Sequence, residues 1–150
     1  MRFNTALIHG QAASDQKTGA TNIPIYQSSS FEHSTAEELE NIFKGTQPGF
    51  IYTRINNPTV EAFERRLAYL EGAVGAVACS SGMAAVTLAV MNILKSGEEI
   101  VSGTGIFGGT HSLFKGLEDF GVSTCYVKDN RIRSFEDAIT EKTRLIYIET

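Results

Sequence analysis

The sequence predicts an α/β fold, a mostly parallel sheet with helices on both faces, preceded by an N-terminal arm. Three observations lead there. From Ala73 onward, short apolar runs alternate with amphipathic stretches of helical length, the pattern of βαβ units. At Ser80-Ser81-Gly82-Met83-Ala84 one such run turns abruptly into a helix, with turn-forming residues at the junction. Before about residue 50, small polar residues dominate and no sustained periodicity appears.

Residues 1–49 therefore read as an arm that lies on another domain or subunit, since a stretch of this length without a core of its own needs support. It holds one short helix from Thr35 through Phe43, with Thr35 as cap and Leu39, Ile42 and Phe43 on one face. The next helix starts at Asn57-Pro58, a capping side chain followed by the residue best suited to the first turn. Val60, Phe63, Leu67 and Leu70 follow at helical spacing, and Gly72 closes the run. Strands are expected at Ala73–Cys79, Glu99–Val101, Val122–Val127 and Arg144–Glu149, with helices at Met83–Leu94, Thr110–Phe120 and Phe135–Ile139. Ser134 and Asp137 have the spacing of a capping box for the last of these. In such sheets chemistry sits beyond the carboxyl ends of strands, yet the final strand runs into Thr150, so the chain reads as cut short.

Bulk properties narrow the function. With 13 basic and 17 acidic residues unclustered along the chain, there is no basic block to suit a nucleic acid or an anionic membrane. No apolar run has the length of a membrane helix, and the N-terminus lacks the apolar core of a signal peptide. Cys79 and Cys125 match no metal or redox spacing and read as reduced thiols, so a cytoplasmic protein is expected. His9, His33 and His111 have no metal partner at ligand spacing and read as solvated or locally hydrogen-bonded.

Three constellations could carry chemistry. A strand, a Ser/Gly turn and a helix start at Ser81-Gly82-Met83 place free backbone N–H groups at a positive helix end, which suits phosphate; serines that merely cap a helix would look the same. In Ile51–Thr59, Tyr52 and Arg54 are two apart, so an extended segment would point both to one side. A phenol and a guanidinium fork suit a doubly charged phosphate, although a solvated loop would also hold them. Gly103-Thr104-Gly105-Ile106-Phe107-Gly108 spells GxGxxG after a short strand, with Asp129 about 20 residues on, so a dinucleotide site is an alternative.

Taken together, PIYQSSSF, FIYTRINNPTVEAFERRLAYLEG, AVACSSGMAA and IFGGTHSLF resemble the Cys/Met-metabolism family of pyridoxal-phosphate enzymes, across nearly all 150 residues. Within it the likeness is greatest to the O-acetylhomoserine sulfhydrylase branch; cystathionine γ-synthases and cystathionine or methionine γ-lyases are the alternatives. The resemblance implies an aspartate-aminotransferase-like fold of type I, with residues 50–150 as the first part of its large cofactor-binding domain. It implies Tyr52 and Arg54 gripping the phosphate of a neighbouring subunit's cofactor, and Ser81, Gly82 and Met83 gripping their own. Phe107 falls where the family usually carries a tyrosine that stacks on the cofactor ring, so the stacking surface is kept and the hydroxyl is lost.

The family's Schiff-base lysine and ring-pairing aspartate match nothing here, because none of the six lysines (Lys17, Lys44, Lys95, Lys115, Lys128, Lys142) stands in its motif. Hence this chain contains no catalytic residue and is expected to be inactive alone. The intact enzyme would be a homodimer or homotetramer, making homocysteine from sulfide or cystathionine from cysteine. A non-catalytic interaction module is the remaining alternative.

Overall fold

The computed structural model describes residues 2–10 and 18–150, so Lys17 and the centre of the GQAASDQKTGATN stretch lie outside it. Two units emerge, one ending at Ala78 and one starting at Cys79.

Among its described residues the first unit holds three helices: α1 (Phe3–His9), α2 (Ala36–Phe43) and α3 (Pro58–Glu71). α3 begins and ends as its sequence demands. Asn57 accepts the Thr59 N–H at 2.9 Å, and Gly72 takes the left-handed conformation (φ 63°) that only glycine adopts cheaply. α2 starts at Thr35, whose hydroxyl accepts the Glu38 N–H at 3.1 Å; Glu38 returns a carboxylate to the Ser34 N–H at the same distance. α1 is an addition to the expected arm. Its seven residues carry no side-chain cap. A helix this short depends on tertiary support, which α3 supplies: Ala6 and Ala68 are buried, Tyr69 crowds Gly10, and Arg66 donates to the Leu7 carbonyl at 3.0 Å. Farther along, Phe31 N–H bonds Ile51 O at 3.0 Å and Thr53 N–H bonds Ser29 O at 2.9 Å, so an extended part of the arm runs beside residues 51–53.

The second unit is a three-stranded sheet with its helices. Strands β1 (Glu99–Ser102), β2 (Ser123–Tyr126) and β3 (Thr143–Tyr147) lie in the order β2-β1-β3, and both pairings are parallel, as expected. Successive strand residues face opposite sides, and both Ile100 and Val101 are 0% exposed, so the central strand is covered on each face. Helices α4 (Gly82–Ile93), α5 (Gly108–Leu117) and α6 (Ile132–Ala138) complete the alternation, with a 3-10 turn over Glu118–Phe120. Val90, Leu94, Ile100, Phe114, Leu117 and Val122 form the core. Burying each large apolar side chain stabilises by roughly 1.5–3 kcal/mol.

Two elements differ from expectation. Ala73–Cys79 is not a strand: among the described residues it joins no ladder, Val74 and Val77 are exposed, and the Ala78 N–H is taken by the Glu64 carboxylate at 2.7 Å. An apolar run becomes a strand only where a neighbour meets its backbone. Ser134 is not a helix cap either. α6 begins earlier, at Ile132, because the Asp129 carboxylate takes the Arg131 N–H at 3.0 Å and the Ser134 hydroxyl at 2.7 Å, closing the turn ahead of the helix.

Candidate functional site

Residues 49–59 are pinned by two asparagines. Asn56 donates to Gly49 O at 2.8 Å. Asn57, 3% exposed, donates to Tyr26 O at 3.0 Å and to Thr53 Oγ1 at 2.9 Å while its oxygen caps α3. Between these anchors the backbone turns, with Ile55 and Asn56 N–H groups both bonded to Tyr52 O. Tyr52 and Arg54 do share a side, but the turn puts them there rather than the extended alternation inferred from spacing. The Arg54 guanidinium lies over the Tyr52 ring, 5.1 Å from its centroid. Both side chains are exposed, and among the described residues no carboxylate pairs with Arg54. Its fork is therefore available to an anion.

In the second unit, Ser81 is the cap of α4. Its hydroxyl oxygen accepts the Ala84 N–H at 3.1 Å and its carbonyl accepts the Ala85 N–H at 3.0 Å. These bonds leave out the N–H groups of Gly82 and Met83, which point from a positive helix end. A Cβ at Gly82 would meet nothing within 4 Å, so there is free space beside this residue. The serine proton also remains to be donated. Two backbone donors, a hydroxyl and free space beside Gly82 fit a phosphate group.

Phe107 is 63% exposed and so lies outside the core. Its ring packs on Gly109: a Cβ there would meet Phe107 Cε1 at 2.5 Å and Met83 Sδ at 3.3 Å. The structure thus gathers Met83 and Phe107 around one glycine. An exposed aromatic face beside the start of a helix would suit a phosphorylated ring.

Glu149 is the residue that sequence reading passed over. It lies just past the end of β3, and its carboxylate accepts the Phe107 N–H at 2.6 Å, the Thr110 hydroxyl at 2.9 Å and the Tyr147 hydroxyl at 2.7 Å. The Tyr147 hydrogen bond, followed by that from Phe107, holds its carboxyl below the usual carboxylate range. Burial, then Glu149 itself, pushes the Tyr147 phenol upward. The rule that parallel sheets place function beyond strand carboxyl ends was the available signal.

The same contacts bear on the GxGxxG loop. The Thr104 N–H is bonded to Asn130 Oδ1 at 2.9 Å and the Phe107 N–H to Glu149, so two donors that would cradle a pyrophosphate are occupied, one by an anion. Asp129, the ribose candidate, is held below its ordinary pKa by Ser134 and then Arg131. The glycines serve the turn instead, with Gly105 at φ 77°. As for lysines, Lys44, Lys95, Lys115, Lys128 and Lys142 are all exposed, unlike an amine desolvated for nucleophilic work.

The sequence is 40% identical to an O-acetyl-L-homoserine sulfhydrylase of Corynebacterium glutamicum over 150 residues, covering 99% of this chain and 34% of that protein. It is 39% identical to an L-methionine gamma-lyase of Porphyromonas gingivalis, covering 99% and 37%. The fold matches a crystal structure of a putative O-acetylhomoserine (thiol)-lyase from Campylobacter jejuni, which carries a pyridoxyl-lysine phosphate. There the TM-score is 0.88 and the identity 29%, over 97% of this chain and 36% of the other. The chain spans about a third of the length of the curated relatives it matches. Residues 4–150 match the family of Cys/Met metabolism PLP-dependent enzymes, and the chain belongs to that family.

Proposed function

We propose that the whole protein carries out γ-replacement on an O-acetylhomoserine-like amino acid, joining sulfide to its carbon chain to give homocysteine, and that this chain supplies the grip on pyridoxal phosphate. The observation that supports the grip is the start of α4, where the Ser81 cap accepts the Ala84 N–H, leaving the Gly82 and Met83 N–H groups uncapped, and where a Cβ at Gly82 would meet nothing within 4 Å. In this reading Ser81, Gly82 and Met83 bind the phosphate of their own subunit's cofactor. Tyr52 and Arg54 bind the phosphate in a neighbouring subunit, adding a phenol and a guanidinium fork. Phe107 covers one face of the ring. It has no hydroxyl, so it moves no proton, and proton transfer falls to groups outside these residues. Once bound, pyridoxal phosphate supplies a ring that accepts charge from the substrate's carbon framework.

The intersubunit role extends to the arm, residues 1–49. Phe3, Ile8 and Phe43 are 64%, 65% and 62% exposed on α1 and α2, apolar area suited to a second subunit of a cytoplasmic homodimer or homotetramer. Residues 50–150 then form the first part of the cofactor domain. None of the exposed lysines described here is the cofactor's attachment point.

The experiment is an assay of the full-length protein with O-acetylhomoserine plus sulfide, plus cysteine, or alone. Homocysteine formed only with sulfide supports the proposal. Cystathionine formed with cysteine would reassign it to a γ-synthase. Keto acid released from methionine or cystathionine would reassign it to a lyase.

A further inference from the structure

We infer that Glu149 is a positioning residue for the cofactor ring: it fixes the backbone of Phe107 and so decides where that ring stands. The inference rests on the reading of Phe107 as the stacking residue. Phe107 occupies the cap position of α5, where its side chain has no oxygen to satisfy the orphan N–H groups of the first turn. Glu149, 42 residues away in sequence, supplies one instead, with Oε2 on the Phe107 N–H. Its other oxygen takes two hydroxyls that are themselves anchored. Thr110 is 1% exposed, and Tyr147 meets the fully buried Phe114 edge-on, with centroids 5.0 Å apart. The carboxylate is therefore tied to the core on one side and to Phe107 on the other. The Phe107 ring, mostly exposed, touches Gly109 and gains its direction chiefly from the backbone that Glu149 holds.

A second consequence concerns the two helix ends. A carboxylate already lies at the positive end of α5, whereas the cap of α4 is the uncharged Ser81. An incoming phosphate is turned away from α5 by like charge and received at α4. Glu149 thus orients the ring and leaves a single place for its phosphate.

The test uses the full-length protein loaded with pyridoxal phosphate, and reads cofactor affinity together with the visible circular dichroism of the bound cofactor. In Glu149→Gln, one end of the side chain becomes a donor and cannot accept from Phe107 or from the two hydroxyls. Affinity should fall about ten-fold, the value of one aromatic stack, and the visible dichroic band should shrink. Glu149→Asp keeps the charge on a shorter arm and should recover part of both; it serves as the working variant if Glu149→Gln does not fold. In a Phe107→Ala background, Glu149→Gln or Glu149→Asp should cause no further loss of affinity. Additive losses would overturn the inference while leaving Phe107 in the site. No loss from Phe107→Ala alone would overturn both the inference and the stacking reading. An unchanged dichroic band in Glu149→Gln would also overturn it.

Discussion

The guanidinium of Arg54 is stacked over the ring of Tyr52 at 5.1 Å, on a turn that Asn56 and Asn57 pin from both sides. The stack pre-orients the fork without using its N–H groups. Arg54→Ala in the full-length protein should therefore weaken cofactor retention by roughly 1.5–3 kcal/mol, the value of hydrogen bonds to a charged group. Arg54→Lys should also weaken it, because a point charge cannot reproduce the fork. Cofactor absorbance after dialysis reads both variants, and full retention in both would remove Arg54 from the site.

Gly82 separates folding from binding. Its φ is not in the left-handed region and a Cβ there meets no atom, so Gly82→Ala should stabilise the cofactor-free protein by about 0.5–1 kcal/mol. If the phosphate approaches the backbone at Gly82 as proposed, the same methyl group would stand in its way. Cofactor affinity should drop about ten-fold, equivalent to losing one charged hydrogen bond. Thermal unfolding without cofactor and titration with it measure the opposed effects. If affinity is unchanged, the phosphate does not bind at this helix end.

Phe107→Ala should cost on the order of 1 kcal/mol of cofactor affinity beyond lost area, while Phe107→Tyr should bind as wild type does. Because the ring is 63% exposed, neither change should lower the unfolding temperature of the cofactor-free protein appreciably. A large drop in that temperature for Phe107→Ala would place the ring in a packed interface instead.

Two carboxylates predict the acid limb of stability. Asp129, bonded to Ser134 and Arg131, and Glu149, bonded to Tyr147 and Phe107, both titrate below their ordinary values when folded. A depressed folded pKa means that the unfolded state binds protons first. Their contribution is complete above the unfolded carboxyl range near ~4 and is lost as pH falls through the lower folded values. Urea midpoints of cofactor-free protein from pH 6 to pH 3 should decline less steeply in Asp129→Asn and Glu149→Gln. Identical slopes in all three proteins would contradict the assignment.

The exposed lysines supply a mapping prediction. Borohydride reduction of the full-length loaded protein should place the pyridoxyl group on a residue other than Lys44, Lys95, Lys115, Lys128 or Lys142. A stoichiometric adduct on any of these five would relocate the attachment point into the present chain.

Much was legible in the residues themselves where the deciding interaction spans a single turn. Thr35, Asn57 with Pro58, Ser81 and Gly72 mark helix ends by bonds to neighbours two to four residues away, or by one backbone angle, and the structure has them as read. The parallel sheet followed from strand and helix alternation, and the helix start at Ser81-Gly82 from a serine and a glycine in sequence. What the tertiary structure decided depends on partners far along the chain. Ala73–Cys79 has the residues of a strand but joins no ladder among the described residues, and α1 exists because α3 lies against it. Ser134 donates its hydroxyl to Asp129, five residues earlier, instead of capping, and α6 starts at Ile132 with no side-chain cap. Glu149 reached Phe107 only because β3 pairs parallel with β1, bringing residues 42 apart to one sheet edge. Local hydrogen bonds are set by neighbouring residue types, whereas strand pairing and carboxylate convergence are set by which segments the core packs together.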